Sequence, residues 1–101
     1  MSLPVVLTPL AEADFDAAFA WYEHQQLGLG QRFTDRVRET LRRIGGSPKL
    51  HPVVKAGYRK ALVKQFPYAI FYREESNRIL VISVFHGSRD PAVWQTRINP
   101  P

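Results

Sequence analysis

Along this chain the spacing of apolar residues changes near residue 50: before it they recur every three or four positions, and after it they bunch into short dense runs. Residues 4–8, PVVLT, make a short β-branched run that predicts a first or edge strand. Thr8 followed by Pro9 predicts a helix start, because the threonine hydroxyl can cap free N–H groups and proline suits the first helical position. Glu12, Asp14 and Asp16 then place negative charge near the positive end of the helix dipole. Ala11, Phe15, Ala18, Phe19 and Tyr22 fall on one stripe, and Gly28 and Gly30 are expected to end the helix. A second helix is expected with Phe33, Val37, Leu41 and Ile44 along one side and Arg32, Arg36, Arg38, Arg42 and Arg43 elsewhere. GGSP at 45–48 closes it, so the pair forms an αα-hairpin.

The second half reads differently. KLHPVVKAG (49–57) is expected to be a loop or a poorly paired extended stretch. Three strands follow, YRKALV (58–63), YAIFYRE (68–74) and RILVISVFH (78–86), the last two joined by a tight turn at Glu75, Ser76 and Asn77. Positions 79–85 are apolar almost throughout, as in a central strand covered on both faces. Strict alternation puts His86 on the face of Val84, Ile82 and Leu80, and Phe85 on that of Ser83 and Val81. After Pro91, AVWQTR predicts one or two helical turns. The order β-α-α-β-β-β implies an α+β fold: a small antiparallel or mixed sheet, the helical pair on one face and the other face partly open. At 101 residues the chain, 1–101, is expected to form a single domain.

Composition narrows the chemistry. Apolar and aromatic residues make up 45% of the chain, enough for a core, although a domain of this size is only modestly stable. The absence of cysteine excludes disulfides and thiolate metal sites. No HxH, HExxH or carboxylate cluster falls at metal-ligand spacing, so neither a metal nor another cofactor is expected. The N-terminus lacks the pattern of a signal peptide and no run approaches the roughly 18 apolar residues of a membrane span. A soluble cytoplasmic protein without a membrane partner is expected. Residues 1–54 carry six cations and six anions, whereas residues 55–101 carry eight cations against Glu74, Glu75 and Asp90. The whole net charge of +5 thus sits in the second half, a bias that favours an anionic partner.

The stretch VISVFHGSRDPAVWQTR (81–97) stops an apolar strand abruptly at His86 and turns into a polar, cation-bearing corner. Together with the order of elements and GYRKALVKQFPYAIFYREESNRIL before it, this stretch resembles the RelE/ParE superfamily of toxins from bacterial type II toxin–antitoxin modules, over nearly the whole chain. The resemblance implies the compact β-α-α-β-β-β fold and a small, cognate, acidic antitoxin, hence a toxin–antitoxin hetero-oligomer of the plasmid-stabilisation type. It also implies one of two activities. RelE-like members cut mRNA in the ribosome without a metal; ParE-like members bind and poison DNA gyrase.

Metal-free RNA cleavage needs a group to help deprotonate the ribose hydroxyl, a proton donor for the leaving oxygen and cations that hold the phosphate. His86 is the candidate acid–base, and Arg89 and Arg59 are candidate catalytic cations under this ribonuclease reading. Lys60, Lys64, Tyr68, Trp94 and Arg97 are candidate binding residues, the aromatics by stacking a base and the cations by contacting phosphate. Tyr68 and Trp94 also fit the core, with Trp94 plugging the C-terminal turn onto the sheet. The resemblance further implies that RelE-like enzymes carry a phosphate-gripping arginine where this chain has Ala69, a second basic residue where it has Ala61, and a tyrosine near Trp94. Those departures favour the ParE-like reading, an inhibitor of gyrase acting by protein–protein binding.

Overall fold

The computed structural model describes residues 2–98. Strand β1 (Val5–Leu7) is followed by helices α1 (Pro9–Gln25) and α2 (Leu29–Gly46), a 3-10 turn (Pro48–Leu50), strands β2 (Val53–Lys55), β3 (Tyr58–Leu62), β4 (Tyr68–Glu74) and β5 (Ile79–His86), and helix α3 (Ala92–Ile98). Thr8 caps α1 as its sequence suggests, its Oγ1 accepting from the Ala11 N–H at 3.2 Å with proline in the first turn. Gly28 makes the break between the helices at φ 90°, but Gly30 does not end α1; it lies inside α2. A Cβ there would sit 2.9 Å from both the Phe19 carbonyl oxygen and Glu23 Oε1, so the missing side chain lets the two helices close up. Glu23 uses that proximity: its carboxylate accepts from the Gly28 and Gly30 N–H groups and caps α2 from the neighbouring helix.

The sheet is mixed and five-stranded, in the order β1-β5-β4-β3-β2, with β1 parallel to β5 and the other pairs antiparallel. The segment expected to be a loop or poorly paired stretch supplies the extra edge strand, β2. Phe33, Val37 and Ile44 of α2, with Ala11, Ala18 and Tyr22 of α1, pack on Ala61, Ile70, Tyr72, Ile79, Val81 and Val84. Phe33 is fully buried in an aromatic cluster of Phe15, Tyr22, Phe66 and Tyr68. The opposite face holds a smaller cluster of Tyr58, Ala69, Phe71, Ile82, Phe85 and Trp94, the last brought by α3.

The expected alternation along β5 fails at one point. Phe71 pairs with Ser83 but Tyr72 pairs with Val81, so β5 carries one extra residue there, a β-bulge. Val84 stays on the hairpin side with Ile79 and Val81, and His86 sits there against the Tyr68 ring. Leu80, Ile82 and Phe85 share the other side. His86 therefore shares a face with Val84 but not with Ile82 or Leu80, and Phe85 does not share one with Val81. An inserted residue inverts every side chain beyond it, which a period-two reading cannot anticipate.

Candidate functional site

β1 ends at Leu7, level with Val81, so the C-terminal half of β5 has no strand beside it on that edge. Side chains cap its backbone instead. Asp14 Oδ2 on α1 accepts from the Val84 N–H at 3.0 Å and from the Ser83 hydroxyl at 3.3 Å. Arg97 donates from one guanidinium nitrogen to the Ile82 carbonyl at 2.8 Å and grips the Asp14 carboxylate through two bonds of 2.7 and 3.0 Å. The ion pair is largely covered, at 15% and 12% side-chain exposure. Arg97 is thus a clasp that ties α3 to α1 across the bulge, and its cation is neutralised where it stands. Trp94 completes the docking of α3, stacked on Phe71 with ring centroids 4.1 Å apart.

His86 ends β5 beside Tyr68, their rings edge to face at 5.0 Å. The Ser88 N–H donates to His86 Nδ1 at 3.0 Å and the Ser88 hydroxyl lies 2.7 Å from the same atom. That contact assigns the imidazole proton of neutral His86 to Nε2. Trp21, Tyr22, Tyr68, His86, Ser88 and Arg89 together line a shallow cleft of about 300 Å³ between the end of α1 and the end of β5. Burial pushes the Tyr68 hydroxyl above its ordinary value, the nearby Tyr22 adding to the effect and Arg89 opposing it. Tyr68 can donate a hydrogen bond near neutral pH but cannot serve as a base there.

On the face away from the hairpin a larger groove, about 570 Å³, has an apolar floor of Ala69, Phe71, Phe85 and Trp94 and a rim that includes Val54, Leu62, Lys60 and Arg89. Leu62 and Val54 are exposed there despite their size. Arg89 lies over the Phe85 ring at 5.6 Å and forms no ion pair among the described residues. Lys64 is exposed in the turn between β3 and β4.

Arg59 stands apart from His86. It pairs with Tyr72, four residues along β4 from Tyr68, which itself pairs with His86 across the next strand boundary. At about 3.3 Å per residue and about 4.8 Å between strands, that is roughly 16 Å between their backbones. Its guanidinium donates to the His51 carbonyl at 2.6 Å and the Lys49 carbonyl at 3.4 Å, holding the loop before β2. Lys60, its neighbour, faces the groove instead. His86 and Arg89 meet at one corner, then, while Arg59 and Arg97 are spent on structure. Among the described residues no group of three or more His, Asp or Glu side chains is placed to hold a metal ion, and no helix is long and apolar enough to cross a membrane.

Sequence reasoning did not single out Trp21, Tyr22 or Asp14 as site residues. Asp14 was legible only as an acid near the start of α1, because its partners Ser83, Val84 and Arg97 lie about 70 to 83 positions away. Trp21 carried a usable signal: on a helical projection it falls with Leu10, outside the inner stripe.

The comparisons with known proteins bear on this arrangement. The sequence model of the ParE toxin of type II toxin–antitoxin system, parDE, matches residues 5–91. Among solved structures, the chain is similar to the chromosomal ParDE TA system from P. aeruginosa, with a TM-score of 0.74 and 16% identity over 84% of this chain and 96% of that one. At that identity the likeness concerns the fold. No curated protein matches the chain. With the family's sequence pattern running from β1 through the loop after β5, and the same architecture in space, the chain belongs to the ParE toxin family of type II toxin–antitoxin systems.

Proposed function

We propose that this chain is the toxin of a plasmid-stabilisation-type module, silenced by a cognate acidic antitoxin, and that it acts in the cytoplasm by binding DNA gyrase and stalling replication. Family membership supports the toxin reading, and the ParE-like branch supports gyrase as the target. The antitoxin reading rests on the groove. Residues 40–73 contain eight Lys and Arg and no Asp or Glu, and they supply Val54, Lys60, Leu62 and Phe71 to the groove wall. A segment carrying acids beside apolar side chains matches both features and would fold as it binds.

The observation that carries binding over catalysis is the dispersal of the cations. Phosphate cleavage needs base, acid and phosphate grip within about 3 Å of one reacting group, whereas Arg59 holds a distant loop and Arg97 is paired with Asp14. Purified toxin should therefore inhibit supercoiling by purified gyrase, and antitoxin should restore it. Undiminished supercoiling at a large excess of active toxin would count decisively against this reading.

The corner of His86, Ser88, Arg89 and Tyr68 favours a second reading, a ribosome-dependent mRNA endoribonuclease. It predicts codon-phased breaks in messages soon after induction, abolished by His86→Ala in a variant that still folds. Intact messages during growth arrest would remove it.

A further inference from the structure

The inner stripe of α1 is consumed by the core, but the helix has a second apolar face that nothing in the fold covers. Leu10, Ala13, Ala17 and Trp21 recur along its outer side, and Leu10 and Trp21 are 57% and 56% exposed. The two stand three turns apart, about 16 Å. A surface helix ordinarily turns charge outward. Trp21 is also held in place, its ring edge-on against Tyr22 at 5.1 Å, so little ordering is required when something binds it.

Charge says what that something is. The first 31 residues contain Glu12, Asp14, Asp16 and Glu23 and no Lys or Arg. Asp14 and Glu23 are engaged within the fold. Asp16 is exposed, borders the apolar face beyond Ala13 and forms no ion pair among the described residues. Two copies of α1 packed antiparallel through this face would bring Asp16 against its own counterpart, an unfavourable pairing. A cationic surface with apolar side chains suits the face better. An enzyme that holds duplex DNA presents such clusters of Lys and Arg to the phosphates.

We infer that the outer face of α1 is the surface that engages the toxin's protein target, through Leu10 and Trp21 as anchors and Asp16 as a charge partner. The inference rests on the gyrase reading above and adds a surface distinct from the groove. Its test uses the full chain in two variants, Leu10→Ser/Trp21→Ala and Asp16→Lys, with supercoiling by purified gyrase, affinity for the acidic antitoxin and thermal melting as readouts. Each variant should need roughly tenfold more toxin for half-inhibition, as loss of an interface anchor or charge partner does, while antitoxin affinity and melting stay as in the wild type. Unchanged inhibition in both overturns the inference. Should the double variant fold poorly, the exposed Asp16→Lys decides alone. If wild-type toxin arrests growth without touching gyrase, the gyrase reading fails, and the same variants are scored by growth arrest: its loss with antitoxin capture intact sustains the target face, and full arrest rejects it. A toxin dimer in sedimentation that Trp21→Ala dissociates would assign the face to a second copy and likewise reject it.

Discussion

Arg97 has the most consequential change of reading in the chain, from a terminal cation free to meet phosphate to the clasp of a bulged strand edge. Arg97→Met keeps the length of the side chain and removes three bonds, leaving the Ile82 carbonyl and part of Asp14 unpaired. A cost of about 1.5–3 kcal/mol is expected, the range for hydrogen bonds to charged groups. Thermal melting should register it as a fall of roughly 4–8 °C per kcal/mol in a chain this short. His51 offers a second test. Its Nε2 is buried without a partner, and burial, then Arg43 and Arg59, hold its pKa below the ordinary value. Below about pH 6.5 the unfolded imidazole takes up a proton that the folded one resists. Stability should therefore fall as pH drops through that range, and urea midpoints of His51→Gln should fall less. Equal slopes for the two proteins would exclude His51 as the cause.

At the scale of elements, β2 and the bulge are the two features the sequence concealed. The turn from β2 to β3 is only Ala56 and Gly57, both at positive φ (50° and 81°), as the twist of a two-residue hairpin demands. Asparagine or aspartate before the glycine would have signalled it; alanine does not, and it sits there at a steric cost. Ala56→Asn should accordingly stabilise the protein by about 0.5–1 kcal/mol, measured by denaturant unfolding. No gain would mean that the turn, not the residue, absorbs the strain. The bulge was hidden for another reason: its extra residue, Ile82, is apolar like most of β5, so the run carries no mark of an insertion. Helix α3, seven residues long, depends on contacts rather than propensity. Trp94→Ala should release amide protection across α3 and β5's open edge in hydrogen exchange while β3 and β4 stay protected.

Across the whole molecule, charge is segregated: acids without cations in residues 1–31, cations without acids in residues 40–73. The net value of +5 records only the difference. The proposed antitoxin complex should weaken as salt rises, through screening of contacts such as Lys60, but keep an apolar remainder from Phe71, Phe85 and Trp94 that salt does not touch. Titrations at 50 and 500 mM salt measure both parts. An affinity indifferent to salt would argue that the basic stretch takes no part.

What the sequence determined by itself were the local decisions: the Thr8–Pro9 helix start, the inner stripes of α1 and α2, the central character of β5 and the family pattern through HGSRDP. Each depends on residues a few positions apart, where spacing and steric preference act directly. The tertiary structure alone decided which face of β5 His86 shares, that Arg59 and His86 stand far apart, and that Asp14 meets Arg97. Those outcomes turn on one inserted residue and on contacts about 80 positions long, for which neighbouring residues carry no signal. The cation-bearing corner was therefore legible as a corner, and which of its cations remain free was not.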